Sequence, residues 1–164
     1  MKIFTLDKAS FESQDSLSIN NANQRFDDII SLDNSHFPQP WTQQQWVDLS
    51  SSDSFTIYYL LDSADEVAGF ALFDIFQQDS RAELHKIIIS PHNREIGKGH
   101  DLLHGSLNCI VIRGIYNFVL EVSVLNDNAI SLYQRVGFEI IREVKRFYSN
   151  GESAYTMQYL VNSN

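Results

Sequence analysis

The chain has 164 residues, 43% of them hydrophobic and 12% aromatic, enough to bury a core within one domain and to exclude disorder as its default state. Its formal net charge of −9 argues against a binding face for duplex nucleic acid or a membrane surface and suits cationic partners such as amines or basic peptides. A single cysteine, Cys109, excludes an internal disulfide and a multi-cysteine zinc site; no run approaches the ~18 apolar residues of a membrane span, and the first residues lack a signal-peptide core, so a reducing cytoplasm is the expected compartment.

In chain order, KIFTL (2–6) reads as a first strand, and Phe26, Ile29, Ile30 and Leu32 predict a short helix with one apolar side. The two prolines of HFPQPW (36–41) require a turn, after which Thr42 and Gln45 form a capping-box signature for a helix over 43–50. FTIYYLL (55–61), EVAGFALFDIF (66–76) and AELHKIIIS (82–90) have the content and punctuation of three strands in an antiparallel meander. HDLLHGSLNCIVI is the main helix, apolar at 102, 103, 107, 110 and 111, with Cys109 expected as buried filler. NFVLEVSV (117–124) follows as a strand expected to be buried on most positions. A short helix then opens on Asn126 or Asp127 and closes at Gly137. Two last strands flank the Asn-Gly hairpin signal of SNG (149–151). A strand–helix–strand crossover makes parallel neighbours, so the expected architecture is α/β: a mixed sheet of about seven strands with helices on both faces. Ligands of such sheets gather at the carboxyl ends of the parallel strands.

The stretch SPHNREIGKGH (90–100) lies between strand and helix, where free backbone N–H groups and the helix dipole favour an anion. It is neither a Walker loop nor a dinucleotide fingerprint, because the lysine-serine ending and the third glycine are both absent. Taken alone it is equally a plain helix start.

The pattern L-x-x-I-x-I-S-P followed by R-x-x-G-x-G and a helix resembles the acetyl-coenzyme A signature of the GNAT acyltransferases. LEVSVLNDNAISLYQRVGF resembles that superfamily's second signature. HFPQPWT and KRFYSNGESAYTM are most similar to the RimI-type ribosomal-protein alanine N-acetyltransferases within it. Glu95 stands where a basic residue is usual in such chains, His100 where an arginine is common, and Phe147-Tyr148 where Tyr-Tyr is common.

The resemblance implies a GNAT fold and acetyl-CoA as acetyl donor, with no metal and no covalent enzyme intermediate. It places the pantetheine arm against the backbone of Ile87, Ile88 and Ile89, and the pyrophosphate on the N–H groups of Arg94, Glu95, Ile96, Gly97, Lys98, Gly99 and His100. Asn126 has both a capping reading and a cofactor-contact reading, which one side chain can combine. Glu121, a carboxylate inside an otherwise apolar strand whose desolvation raises its pKa, is the expected general base. Tyr133 is the expected general acid for the departing thiolate. Trp41, Arg146 and Tyr148 are the expected acceptor contacts.

HDLLH (100–104) is close to the H-E-x-x-H zinc motif, but aspartate is shorter than the required base and no third ligand is evident. His85, next to Lys86, reads as a solvated or hydrogen-bonded histidine. The implied partner is a protein N-terminus, a ribosomal protein among the possibilities, with no nucleic acid or membrane. A small-molecule amine, or a non-catalytic coenzyme A-binding role, are the alternatives.

Overall fold

The computed structural model describes residues 2–12, 14–37, 39–94 and 97–161. The strands are β1 (Phe4–Asp7), β2 (Phe55–Leu61), β3 (Val67–Phe76), β4 (Arg81–Ile89), β5 (Asn117–Ser123), β6 (Glu139–Val144) and β7 (Ala154–Leu160). The helices are α1 (Lys8–Phe11), α2 (Ser16–His36), α3 (Gln43–Ser50), α4 (Lys98–Ile112) and α5 (Asp127–Val136). The sheet runs β1-β2-β3-β4-β5-β7-β6, and every neighbour pair is antiparallel except β4 with β5. The meander and the parallel crossover through α4 stand as expected.

The helix over Phe26 to Leu32 is not short. Asp15 accepts from the backbone N–H groups of Leu17 and Ser18, and the helix started there runs 21 residues to His36. Its first turn is exposed, Leu17 included, and shows no apolar stripe, so hydrophobic spacing revealed only the half that packs on the sheet. Thr42 and Gln45 make the expected reciprocal cap of α3.

Two cores form, one on each face of the sheet. On one face, Leu102, Leu103, Leu107 and Ile110 of α4 and Tyr133 of α5 pack on Phe73, Leu84, Phe118, Leu120 and Met157. On the other, Ile29 and Leu32 of α2 and Trp46 and Leu49 of α3 cover Ile57, Phe70, Leu72 and Ile88. Cys109 is exposed, contrary to expectation, because it lies outside the stripe of Leu103, Leu107 and Ile110 that meets the sheet. Among the described residues no helix is long and apolar enough to cross a membrane.

Gly137 ends α5 at φ +118°, as the C′ reading required, and a Cβ there would stand 2.9 Å from the Tyr159 ring. Gly137→Ala is therefore expected to destabilise the fold by about 1–3 kcal/mol, lowering the melting temperature by several degrees in thermal denaturation. The Asn-Gly signal also marks a turn. Gly151, at φ +85°, donates to the Tyr148 carbonyl, and Tyr148 N–H donates to Glu152 O at 3.0 Å. The ordered strands begin farther away, at Val144 and Ala154, than the sequence implies.

Candidate active site

The site is made by an irregularity of β4. Leu84 pairs with Phe73 and Lys86 with Leu72, so His85 is an extra residue, a bulge opposite β3. Before it, Ala82 and Leu84 face α4; after it, Ile87 and Ile89 take that face while Lys86 and Ile88 turn to the other. Pairing with β5 runs only from Arg81 with Asn117 to Leu84 with Leu120. Past those residues β4 stays with β3 and β5 goes with β7, leaving a gap at the carboxyl ends of the two parallel strands.

Ser90 N–H donates to Ala68 O at 2.8 Å, so strand alternation turns the backbone of Ile87 and Ile89 away from β3, toward the gap. Arg94 Nε donates to the Ile89 carbonyl there at 3.2 Å. The same alternation directs Ile88 toward β3, and its side chain is buried beneath α2 and α3, so the expected set reduces to Ile87 and Ile89 at the gap.

At the far end of this edge, Gly97 caps α4 at φ +95° with open space where a Cβ would stand. Its carbonyl accepts from Asp101 N–H at 2.8 Å, and Gly99 and His100 follow in the first turn, where N–H groups lack an intrahelical acceptor. Gly99 lies close to Leu132 of α5 and Ile89 of β4, which fixes the helix start against the gap. Lys98 is in this turn too, and its charge acts on Asp62. These features fit an elongated ligand with an anionic group on the helix and an extended arm along β4. Glu95 and Ile96 lie outside the described residues. His100 and His104 stack at 5.8 Å on the exposed side of α4, and among the described residues no group of three or more metal-ligating side chains assembles.

Glu121 is on the opposite face from this helix. Phe118, Leu120 and Val122 point into the α4 core, whereas Val119, Glu121 and Ser123 alternate outward and are only half-buried, which corrects the expectation of a strand buried on most positions. Burial raises the Glu121 pKa, and the nearby Glu83 carboxylate raises it further; Arg142, His85 and a hydrogen bond with Thr156 pull it back. The costly location inferred from sequence is thus a half-buried one crowded by a second carboxylate.

Tyr133 projects from α5 into the other core, with its ring 5.9 Å from Phe138. Burial, then the neighbouring Tyr148, push its pKa far above the ordinary tyrosine value, so it stays a protonated donor. Tyr148 is within electrostatic reach of both Tyr133 and Glu121, and its own pKa is raised by burial, Glu121 and Glu152 against a hydrogen bond with the Ser123 backbone. Glu121 and Tyr133 therefore lie on opposite faces of the sheet, and Tyr148 is electrostatically coupled to both. Asn126 caps α5, accepting from Ala129 N–H at 3.2 Å, which is the capping half of its expected role. Arg146 is exposed with φ +52°, at the start of the turn that carries Tyr148.

On the Glu121 face, a groove of about 300 Å³ continues toward α3, lined by Trp41, Gln45, Asp48, Asp74 and His85, among others. Trp46 is core, 2% exposed, while Trp41 stands at the rim with its ring 6.0 Å from His85. His85 Nε2 lies 2.9 Å from Asp74 Oδ2, and Asp74 Oδ1 accepts from Ser54 Oγ at 2.8 Å. The His85 bond is the main reason the Asp74 carboxyl is held below its usual range. Sequence reasoning passed over Asp74, Glu83 and the buried pair Asp33–Lys86, whose Nζ and Oδ1 are 2.7 Å apart. A signal for Asp33 existed: it shares the apolar stripe of Ile29 and Ile30 on α2.

Residues 24–138 match the family model described as Acetyltransferase (GNAT) family. An N-alpha-acetyltransferase of Sulfolobus acidocaldarius is 29% identical over 144 residues, covering 80% of this chain and 84% of its own. A putative [ribosomal protein bS18]-alanine N-acetyltransferase of Bacillus subtilis is 26% identical, covering 85% and 94%. The crystal structure of the ribosomal-protein-S18-alanine N-acetyltransferase from Escherichia coli superposes with a TM-score of 0.76 at 19% identity, covering 99% of this chain and 96% of that one. With the family model spanning most of the chain, and the strands parting beside a glycine-capped helix, the protein belongs to the GNAT acetyltransferase family.

Proposed function

We propose that the protein transfers an acetyl group from acetyl-CoA directly to the α-amine of a protein or peptide N-terminus, a ribosomal protein being the substrate class suggested by its Bacillus subtilis relative. The observation that supports this reading is the parting of β4 from β5, with Glu121 half-buried on one face of β5 and Tyr133 in the core on the other. Acetyl-CoA supplies the acetyl group as an activated thioester. The N–H groups of Gly99 and His100 receive the pyrophosphate, and the gap-facing backbone of Ile87 holds the pantetheine arm and polarises the acyl carbonyl. Glu121 takes the proton of the incoming amine, whose pKa of about 7.7–8.0 asks little of the base. The new C–N bond forms as the C–S bond breaks, and the Tyr133 hydroxyl protonates the departing sulfur. Trp41, Arg146 and Tyr148 border the acceptor's path.

An open groove favours an extended chain over a compact amine, and the name of the Sulfolobus acidocaldarius relative, an N-alpha-acetyltransferase, points the same way. Incubation with acetyl-CoA and a panel of N-terminal peptides, polyamines and aminoglycosides, read by mass spectrometry, tests the reading. Acetylation confined to small amines overturns it, and acetyl-CoA binding without any turnover leaves a coenzyme A-binding module. Because Asp48, Asp74, Glu83 and Glu121 populate the acceptor face, peptides with Lys or Arg after the first residue are expected to exceed matched Asp peptides in kcat/KM by about tenfold.

A further inference from the structure

Lys86 is the residue after the bulge, and its side chain is 2% exposed against 0% for Asp33 on α2. Its ammonium donates to Asp33 Oδ1 at 2.7 Å and to the Gln39 carbonyl at 3.4 Å. It also lies 3.8 Å from the centroid of the Phe37 ring and 5.3 Å from that of Trp41. The second carboxylate oxygen of Asp33 accepts the backbone N–H of Trp41 at 2.8 Å, and the Asp33 carbonyl accepts that of Phe37 at 3.0 Å. One ion pair therefore contacts Phe37, Gln39 and Trp41 together. A buried pair of this kind is often no better for stability than apolar side chains of the same volume, so stability alone is a weak account of it.

Its location supplies a better one. Among the residues it holds is Trp41, whose ring with His85 walls the groove on the Glu121 face. His85 itself precedes Lys86 and is held by Asp74. Both walls of the groove are thus set from a single buried point, one supported through Asp33 and the other through the strand.

We infer that Asp33 and Lys86 are positioning residues for acceptor recognition, fixing Trp41 against His85 so that the acceptor chain beyond its terminal amine meets a rigid wall. The inference rests on the proposed reading that a peptide N-terminus enters on this face. It separates donor from acceptor by face: the side chains of the pair meet on the α2 side of the sheet, whereas Ile87 and Ile89 pack toward α4.

The double variant Asp33→Leu/Lys86→Met removes both charges together and leaves no orphaned ion. It is expected to melt near the wild-type temperature and to bind acetyl-CoA within about twofold, while KM for a peptide acceptor rises about tenfold or more with a smaller change in kcat. Asp33→Asn keeps an oxygen for the Trp41 N–H, and should show a smaller rise in KM. Lys86→Arg, which retains the charge, should recover more acceptor affinity than Lys86→Met. Hydrogen exchange should show faster exchange at Trp41 in the double variant, a readout independent of turnover. Should the double variant fail to fold, Asp33→Asn and Lys86→Arg carry the test. Unchanged peptide KM in folded variants of an enzyme that acetylates peptides overturns this inference alone. A wild-type enzyme that acetylates no peptide overturns the acceptor reading instead, and this inference with it.

Discussion

Glu121→Gln is expected to lower kcat/KM for a peptide acceptor by about 10²–10⁴-fold while leaving acetyl-CoA binding intact, measured by steady-state kinetics and titration of the cofactor. Glutamine preserves the shape and the contact with Thr156 but cannot take a proton. The pH profile carries a second signature. Burial and Glu83 place the Glu121 pKa above its ordinary 4.5, so the acid limb of kcat/KM rises at a higher pH than a free glutamate would give, and that limb disappears in the variant while the limb of the amine substrate remains. The sign for stability is opposite. A carboxyl whose folded pKa is raised contributes stability at low pH that is lost as pH climbs from the unfolded value through the folded one. The Gln variant does not share that loss, so across this window its melting temperature should gain on that of the wild type. Full activity in Glu121→Gln would remove the carboxylate from the mechanism and leave the fold untouched.

Tyr133→Phe is expected to reduce kcat and kcat/KM together by about 10²-fold with little change in KM, the pattern of an interaction made only as the sulfur departs. The ring stays in its core next to Phe138, so the variant should fold and melt near the wild type. Because burial raises the Tyr133 pKa well above 10, the wild-type enzyme should show no alkaline fall in rate from this group below pH 10. An alkaline limb that vanished in Tyr133→Phe would contradict the environment described for the phenol.

The parts of the site that were legible in the sequence are local. Gly97 and Gly99 lie within one loop, Asn126 caps the helix it precedes, and Tyr133 and Gly137 belong to that same helix. Their spacing along the chain is their spacing in the fold. Glu121 was visible as a carboxylate in an apolar run, but its half-buried face depends on alternation across β5, and its crowding by Glu83 depends on the parallel register with β4. The bulge at His85 was not legible, because an extra residue is defined only against the strand it fails to match. Asp33 and Lys86 are 53 residues apart, and neither residue alone announces a partner. The full length of α2 escaped notice for a related reason: its exposed first turn is stabilised by a cap rather than by an apolar stripe.

The parting of β4 from β5 has a kinetic consequence. An unbroken sheet is a wall, and substrates bound on its two sides could not exchange a group. Under the proposed reading the donor is held at the start of α4 on one side and the acceptor in the groove on the other, so the aperture past Leu84 and Leu120 is where they can touch. Each substrate then has its own entrance and neither must depart before the other arrives. Under the proposed reading, turnover runs through a ternary complex, and initial-rate plots against the two substrates should intersect rather than lie parallel.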